Sequence, residues 1–317
     1  MTDKIFINIL KNNFLYKNYL FQNKKINFKK YKTQSLTTGK TFQKYLDKNK
    51  KFFNTSNDSD IFLSSGYKIL ENKIPNSLID EINKKIKNKF LYNDKKILLT
   101  KNIFIDFPEF KIIFQSYIED FLYASFQSYY KIFNGWIFKS EYSKDKPAGS
   151  ALWHVDNGPG TCIIFAIYLS DATKDNGTTE FIEFDDTYNI LNNVNKELIF
   201  NNLFEKSYLN KSKYEQRQLL VELINSEIKK QNIIIKQPTG TKGTIVAFRN
   251  NILHKGGFPL KNQERLIAMF HCYPSSKKIN LDDYKKVLNT KNNKSLPNSP
   301  DFDIEKESYF SFFNKKL

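Results

Sequence analysis

A chain of 317 residues with 40% apolar residues can bury a sizeable core, and none of its apolar runs is long enough to span a bilayer. The short apolar stretch at 5–10 is crowded by Lys and Asn and is followed by no small-residue cleavage site, which disfavours a secretory leader. The formal net charge of +17 would suit a phosphate-rich partner, but only three of the 50 basic residues are arginines, and Lys comes with abundant Asn, Ile, Phe and Tyr; that pattern reads as compositional bias over solvated faces, so nucleic acid is disfavoured.

The two cysteines, Cys162 and Cys272, lie far apart without metal-ligand spacing, as expected of reduced thiols in a cytoplasmic protein. Residues 1–63 form a basic, aromatic-studded extension without clear periodicity, expected to pack on the main domain. From Gly66 the text changes: 67–70 reads as a short strand. Pro75-Asn76-Ser77 opens a helix to about residue 90, with Leu78, Ile79, Ile82 and Ile86 on one stripe. A second helix is predicted from 107 to about 129, on Phe110, Ile113, Phe114, Tyr117, Phe121 and Leu122.

After Ile132 the period becomes that of strands. Segments 137–142 and 150–156 flank a turn containing Pro147 and Gly149, and 162–169 is an apolar run read as a buried strand. Asp175-Asn176-Gly177 is a turn, and 178–184 returns as a strand. Residues 187 to about 230 read as a helical insertion in a β region, either a candidate lid over the site described next or a packing elaboration without contact to substrate. Further strands are expected at 233–235, 243–249 and 265–273, and 275–317 as a surface helix and tail. The expected architecture is one catalytic domain, 64–274, mainly β with packing helices.

Three side chains carry a metal chemistry. Residues i and i+2 of a strand share a side, so His154 and Asp156 converge. His254 follows the 243–248 strand and precedes Gly256-Gly257, so it also falls at a strand end, and a barrel of antiparallel strands would bring both ends to one rim. Two imidazoles and one carboxylate hold one face of non-haem Fe(II) and leave positions open. The chain has three histidines, and two of them occupy these slots; His271, inside the last strand, reads as structural or pocket-lining. Arg265, after the second His, is placed to grip a dicarboxylate with its two-pronged guanidinium. Trp153, Asn157, Tyr168 and Phe258 are candidate pocket neighbours.

The stretches Trp153-His154-Val155-Asp156-Asn157, Ile167-Tyr168-Leu169-Ser170-Asp171 with Asp175-Asn176-Gly177, and 243–248 leading to His254-Lys255-Gly256-Gly257 and Arg265 resemble the Fe(II)/2-oxoglutarate dioxygenases. Within them, the phytanoyl-CoA dioxygenase-like group is the nearest in pattern. The resemblance covers roughly 64–274 and implies a double-stranded β-helix (jelly-roll, cupin-like) core. It implies that His154, Asp156 and His254 bind iron, and that Arg265 holds the far carboxylate of 2-oxoglutarate. Many relatives follow the central strand with Pro-Gly-Ser-His; here Phe181-Ile182-Glu183-Phe184 runs into Asp185 instead.

That resemblance implies a hydroxylase using Fe(II), 2-oxoglutarate and O2, releasing succinate and CO2. Related halogenases lack a carboxylate at the position of Asp156, so its presence favours hydroxylation. The substrate is expected to be a small or medium metabolite, and Lys-rich surroundings suggest an anionic one. Two alternatives stand beside this reading. One is a metal-binding jelly roll without turnover, serving as a binding module. The other is a nucleic-acid or protein demethylase or hydroxylase, disfavoured because alkylation-repair relatives carry an Arg where this chain has His271.

Overall fold

The computed structural model describes residues 62, 65–71, 73–89, 97–98, 100, 102–144, 149–155, 162–200, 213–250, 252–275, 278 and 280–284. Nearly all of the expected N-terminal extension and most of the expected tail lie outside the described residues, as do Asp156 and Asn157.

In chain order the strands are β1 (Tyr67–Ile69), β2 (Ile97–Leu98), β3 (Tyr129–Glu141), β4 (Ile163–Tyr168), β5 (Glu180–Phe181), β6 (Ile245–Arg249), β7 (His254–Lys255) and β8 (Glu264–Ser275). The helices are α1 (Asn76–Lys89), α2 (Ile103–Asp106), α3 (Glu109–Ile113), α4 (Glu119–Phe126), α5 (Phe184–Phe200) and α6 (Lys213–Lys230). None of them is long and apolar enough to cross a membrane.

A six-stranded antiparallel sheet runs β1-β6-β4-β8-β3-β2. A smaller sheet pairs β5 with β7, and single bridges extend it on both sides: His154 to His254, and Phe181 to Lys236. From β3 onward, with the His154 bridge counted in the small sheet, successive segments alternate between the two sheets, which is jelly-roll connectivity. Antiparallel sheets with packing helices match the expected fold class. The barrel expected to unite the ligand-bearing strand ends is not formed: among the described residues the two sheets do not close on each other.

The pattern of β4 explains its continuous apolar text. Ile164, Ala166 and Tyr168 face the space between the sheets, while Ile163, Phe165 and Ile167 face the helices, and all are buried. A strand covered on both faces has no polar side to show. The helix-facing core is aromatic: Phe104, Phe110 and Phe114 gather around Phe270 of β8, with ring centroids 5.8, 5.0 and 5.0 Å away.

Strand β3 begins at Tyr129, well before the expected Ile137. Its register against β8 slips between Ile132 and Asn134, so it carries one extra residue. An extra residue reverses the alternation of sides. Ile132 and Ile137 therefore both face the helices, and Trp136 and Phe138 turn inward. The helix expected over 107–129 is instead α3 and α4 joined through a π turn at Phe114–Ile118. It ends at Gln127, whose φ of 53° leaves the helical region.

Two further expectations need correction. The strand expected at 150–156 is a 3-10 turn at Gly149–Ala151 followed by one bridge at His154. The strand expected at 233–235 makes no ladder; pairing occurs only at Lys236, and Ile234 is 69% exposed. An edge segment lacks the second neighbour that would hold it in a sheet.

Candidate metal centre and anion site

His154 and His254 face one another across the small sheet. Their backbones exchange both hydrogen bonds, His154 N to His254 O at 3.0 Å and His254 N to His154 O at 2.9 Å. Such a pair sets its side chains side by side, and the ring centroids are 4.3 Å apart. Rings this close can each reach one shared ion with a bond of about 2 Å. Both imidazoles are buried. His254 rests on Phe248, with Phe181 behind it, at 5.0 and 6.2 Å between centroids.

The hydrogen bonds of the two rings also assign their protons. Nδ1 of His154 lies 2.7 Å from the carbonyl of Leu152, and Nδ1 of His254 lies 2.9 Å from the carbonyl of Ile252. A carbonyl only accepts, so each Nδ1 donates, and the lone pair of each ring sits on Nε2. A metal-binding imidazole is held in this state, with its second nitrogen bonded to a carbonyl that fixes ring and tautomer. The donor set therefore fits a divalent transition metal. Among the described residues no third His, Cys, Asp or Glu joins the pair, and Asp156 lies outside them.

A cavity of about 550 Å³ opens beside the pair and is lined by both histidines and by Arg265. Arg265 is 3% exposed. Its Nη1 donates weakly to Thr179 Oγ1 at 3.4 Å, and its Nε has no partner. Among the described residues no carboxylate pairs with it. Burial pushes the guanidinium down to about 10, and the neighbouring Tyr168 pulls the other way. An isolated buried cation is costly, because it has lost its hydration and gained no opposite charge to compensate. Here that cation faces a cavity of ligand size.

The expected pocket neighbours separate. Phe258 lines the cavity. Its backbone packs directly on Gly177 of the neighbouring turn, whose φ is +78° and where a Cβ would lie 2.6 Å from the Phe258 carbonyl carbon. Trp153 does not line the cavity: adjacent residues of an extended chain point to opposite sides, and its ring is buried in the core beneath the Lys255 ammonium. Tyr168 is also buried and does not line the cavity; its hydroxyl donates to the Pro238 carbonyl at 2.6 Å, and it feels the nearby charge of Arg265. Asn157 lies outside the described residues. Sequence reasoning missed Trp136, Phe138 and Met269, which form much of the wall. The alternation on β8 from Arg265 would have found Met269. The irregularity in β3 concealed the other two.

The described residues of α5 and α6 contribute nothing to the cavity wall. Leu191, Val194, Leu220, Val221 and Ile224 pack instead into the core. Glu227 clasps the two helices through Asn193, at 2.8 Å. The candidate lid is therefore, over these residues, a buttress.

No family model matches this chain, and no curated protein matches it in sequence. It is similar to several solved structures at low identity. The non-heme alpha ketoglutarate dependent epimerase SnoN from nogalamycin biosynthesis shares 11% identity at a TM-score of 0.47, over 81% of this chain and 95% of that one. EctD from S. alaskensis with 2-oxoglutarate and 5-hydroxyectoine shares 15% at 0.47, over 71% and 80%. HygX from Streptomyces hygroscopicus with nickel and 2-oxoglutarate bound shares 10% at 0.44, over 71% and 89%.

Proposed function

We propose that this protein is a non-haem Fe(II)- and 2-oxoglutarate-dependent oxygenase that hydroxylates a small or medium metabolite. The observation that carries the reading is Arg265, a buried guanidinium to which the described residues offer no carboxylate, facing the same cavity as a histidine pair held in the metal-binding tautomer. A metal site alone does not call for such a cation. A co-substrate with a second carboxylate does.

In this reading His154 and His254 hold the iron through Nε2, and Asp156 supplies the third ligand. Arg265 receives the far carboxylate of 2-oxoglutarate with its planar fork, which a Lys would match only in part. Phe181 and Phe248 pack on the His254 imidazole and fix its tilt. Bound iron would supply oxygen activation coupled to decarboxylation of 2-oxoglutarate, giving succinate and CO2. Asp156 favours hydroxylation over halide transfer, and the finer likeness to the phytanoyl-CoA dioxygenase-like group rests on the sequence motifs alone. A reduced, cytoplasmic setting would suit ferrous iron.

Anaerobic addition of Fe(II) and 2-oxoglutarate should produce a metal-to-ligand charge-transfer band that His154→Ala abolishes. Undiminished 2-oxoglutarate affinity in Arg265→Ala would overturn the clamp. A protein that forms the band but releases no succinate with any metabolite would instead be a binding module.

A further inference from the structure

The basic composition of the chain suggests an anionic substrate, but the cavity does not follow the composition. Among the described residues its wall holds one Arg and one Lys, Arg265 and Lys139. Lys139 is bound by two carboxylates, Glu141 at 2.8 Å and Glu264 at 2.9 Å. Register explains why. Glu141 and Glu264 are directly opposed on β3 and β8, and facing like charges repel. Lys139, two residues before Glu141 on the same side of the strand, bridges them. The three side chains together sum to one negative charge. Lys255 is also committed: its ammonium lies over the Trp153 ring at 4.9 Å and pairs with Glu180 at 3.1 Å.

The rest of the wall is largely apolar, formed by Trp136, Phe138, Met269 and, at 38% exposure, Phe258. With Arg265 assigned to 2-oxoglutarate and Lys139 paired, an anion entering here would lose water and gain no further cation among the described residues. An apolar group would release water from rings that already pack against one another, Trp136 on Phe138 at 5.5 Å. We propose that the part of the substrate entering this cavity is uncharged, and that its apolar body packs on Trp136, Phe138 and Phe258. The inference rests on the oxygenase reading in one respect: it assigns Arg265 to 2-oxoglutarate.

The test is calorimetric titration of the anaerobic protein, loaded with Fe(II) and saturating 2-oxoglutarate, with three probes of one shape: cyclohexyl methyl ketone, cyclohexanecarboxylate and cyclohexylmethylammonium. The ketone should bind at least about fivefold more tightly than either ion. Phe258→Ala should weaken the ketone about threefold or more while leaving the charge-transfer band intact. The same series on Arg265→Met, which offers a carboxylate no buried cation, should keep the order. Tighter binding of either ion, equal ketone binding in Phe258→Ala, or no binding of the ketone overturns the proposal. Loss of the band in the wild-type protein, with the ketone still preferred in Arg265→Met, would instead sink the 2-oxoglutarate reading and leave the cavity's preference standing.

Discussion

The two faces of β8 are made from alternate residues of one strand, yet they have opposite characters. Leu266, Ala268, Phe270 and Cys272 face the helices in a closed apolar core. Arg265, Ile267, Met269, His271 and Tyr273 face the cavity. Two ladders of backbone hydrogen bonds, one to β3 and one to β4, hold both sets. A period of two therefore lets one strand supply stability on one side and chemistry on the other, with nothing between them but the peptide plane. Substitutions on the two faces should fail in different ways, and that separation is open to measurement.

The largest effect is expected at the metal. His254→Ala should lower turnover by more than the roughly 100-fold that loss of an outer partner of a metal ligand causes. Its far-ultraviolet circular dichroism should be unchanged, since the pairing with His154 is made by backbone. A collapse of the unfolding midpoint in this variant would blur the separation. On the opposite face, Phe270→Ala should cost about 3–5 kcal/mol in urea unfolding, because the ring is fully buried among three others. The fraction still folded should bind 2-oxoglutarate normally.

Arg265→Met sharpens the comparison further, since binding and stability should move in opposite directions. Loss of charge-assisted bonds should weaken 2-oxoglutarate by roughly 10- to 100-fold. Removal of an unpaired buried charge should leave the ligand-free protein as stable or more stable, by up to about 3 kcal/mol. A large loss of ligand-free stability would show that Arg265 belongs to the core.

Titration gives a gentler version. Burial holds the Arg265 guanidinium down at about 10, so the folded protein binds this proton less tightly than the unfolded chain. Its cost to stability is full below that pH and is relieved as pH rises through it. Affinity for 2-oxoglutarate should fall over the same rise, by about tenfold one pH unit above the folded value. A flat affinity there would place the anion elsewhere. The smallest effect is expected of Tyr168→Phe. It removes a buried hydrogen bond to the Pro238 carbonyl, but Thr178 Oγ1 still donates to that oxygen at 2.9 Å. The loss should be about 0.5–1 kcal/mol, with affinity nearly unchanged.

Much of this separation was legible in the residues. The apolar run of β4 announced burial on both faces, and the stripe of α1 announced one buried side. The order of His154, His254 and Arg265 brought three side chains to one cavity because jelly-roll connectivity returns alternate strands to the same place. What stayed hidden depended on non-local partners. The irregularity of β3 at Ile132 is a property of its pairing with β8, and no local pattern states it. Ile233-Ile234-Ile235 has the composition of a strand, but among the described residues pairing begins only at Lys236. Lys139 looked like one more basic residue until its position between two opposed glutamates explained it.

The reciprocal hydrogen bonds between His154 and His254 have a consequence for how an ion would come and go. The loss of freedom needed to align two imidazoles is met when the chain folds, as part of the small sheet's own ladder. An arriving ion then meets two of its protein ligands already in place. For a site built in this way, loading and unloading metal are exchange reactions at two fixed nitrogens, and the apoprotein should keep the shape of the site it has emptied.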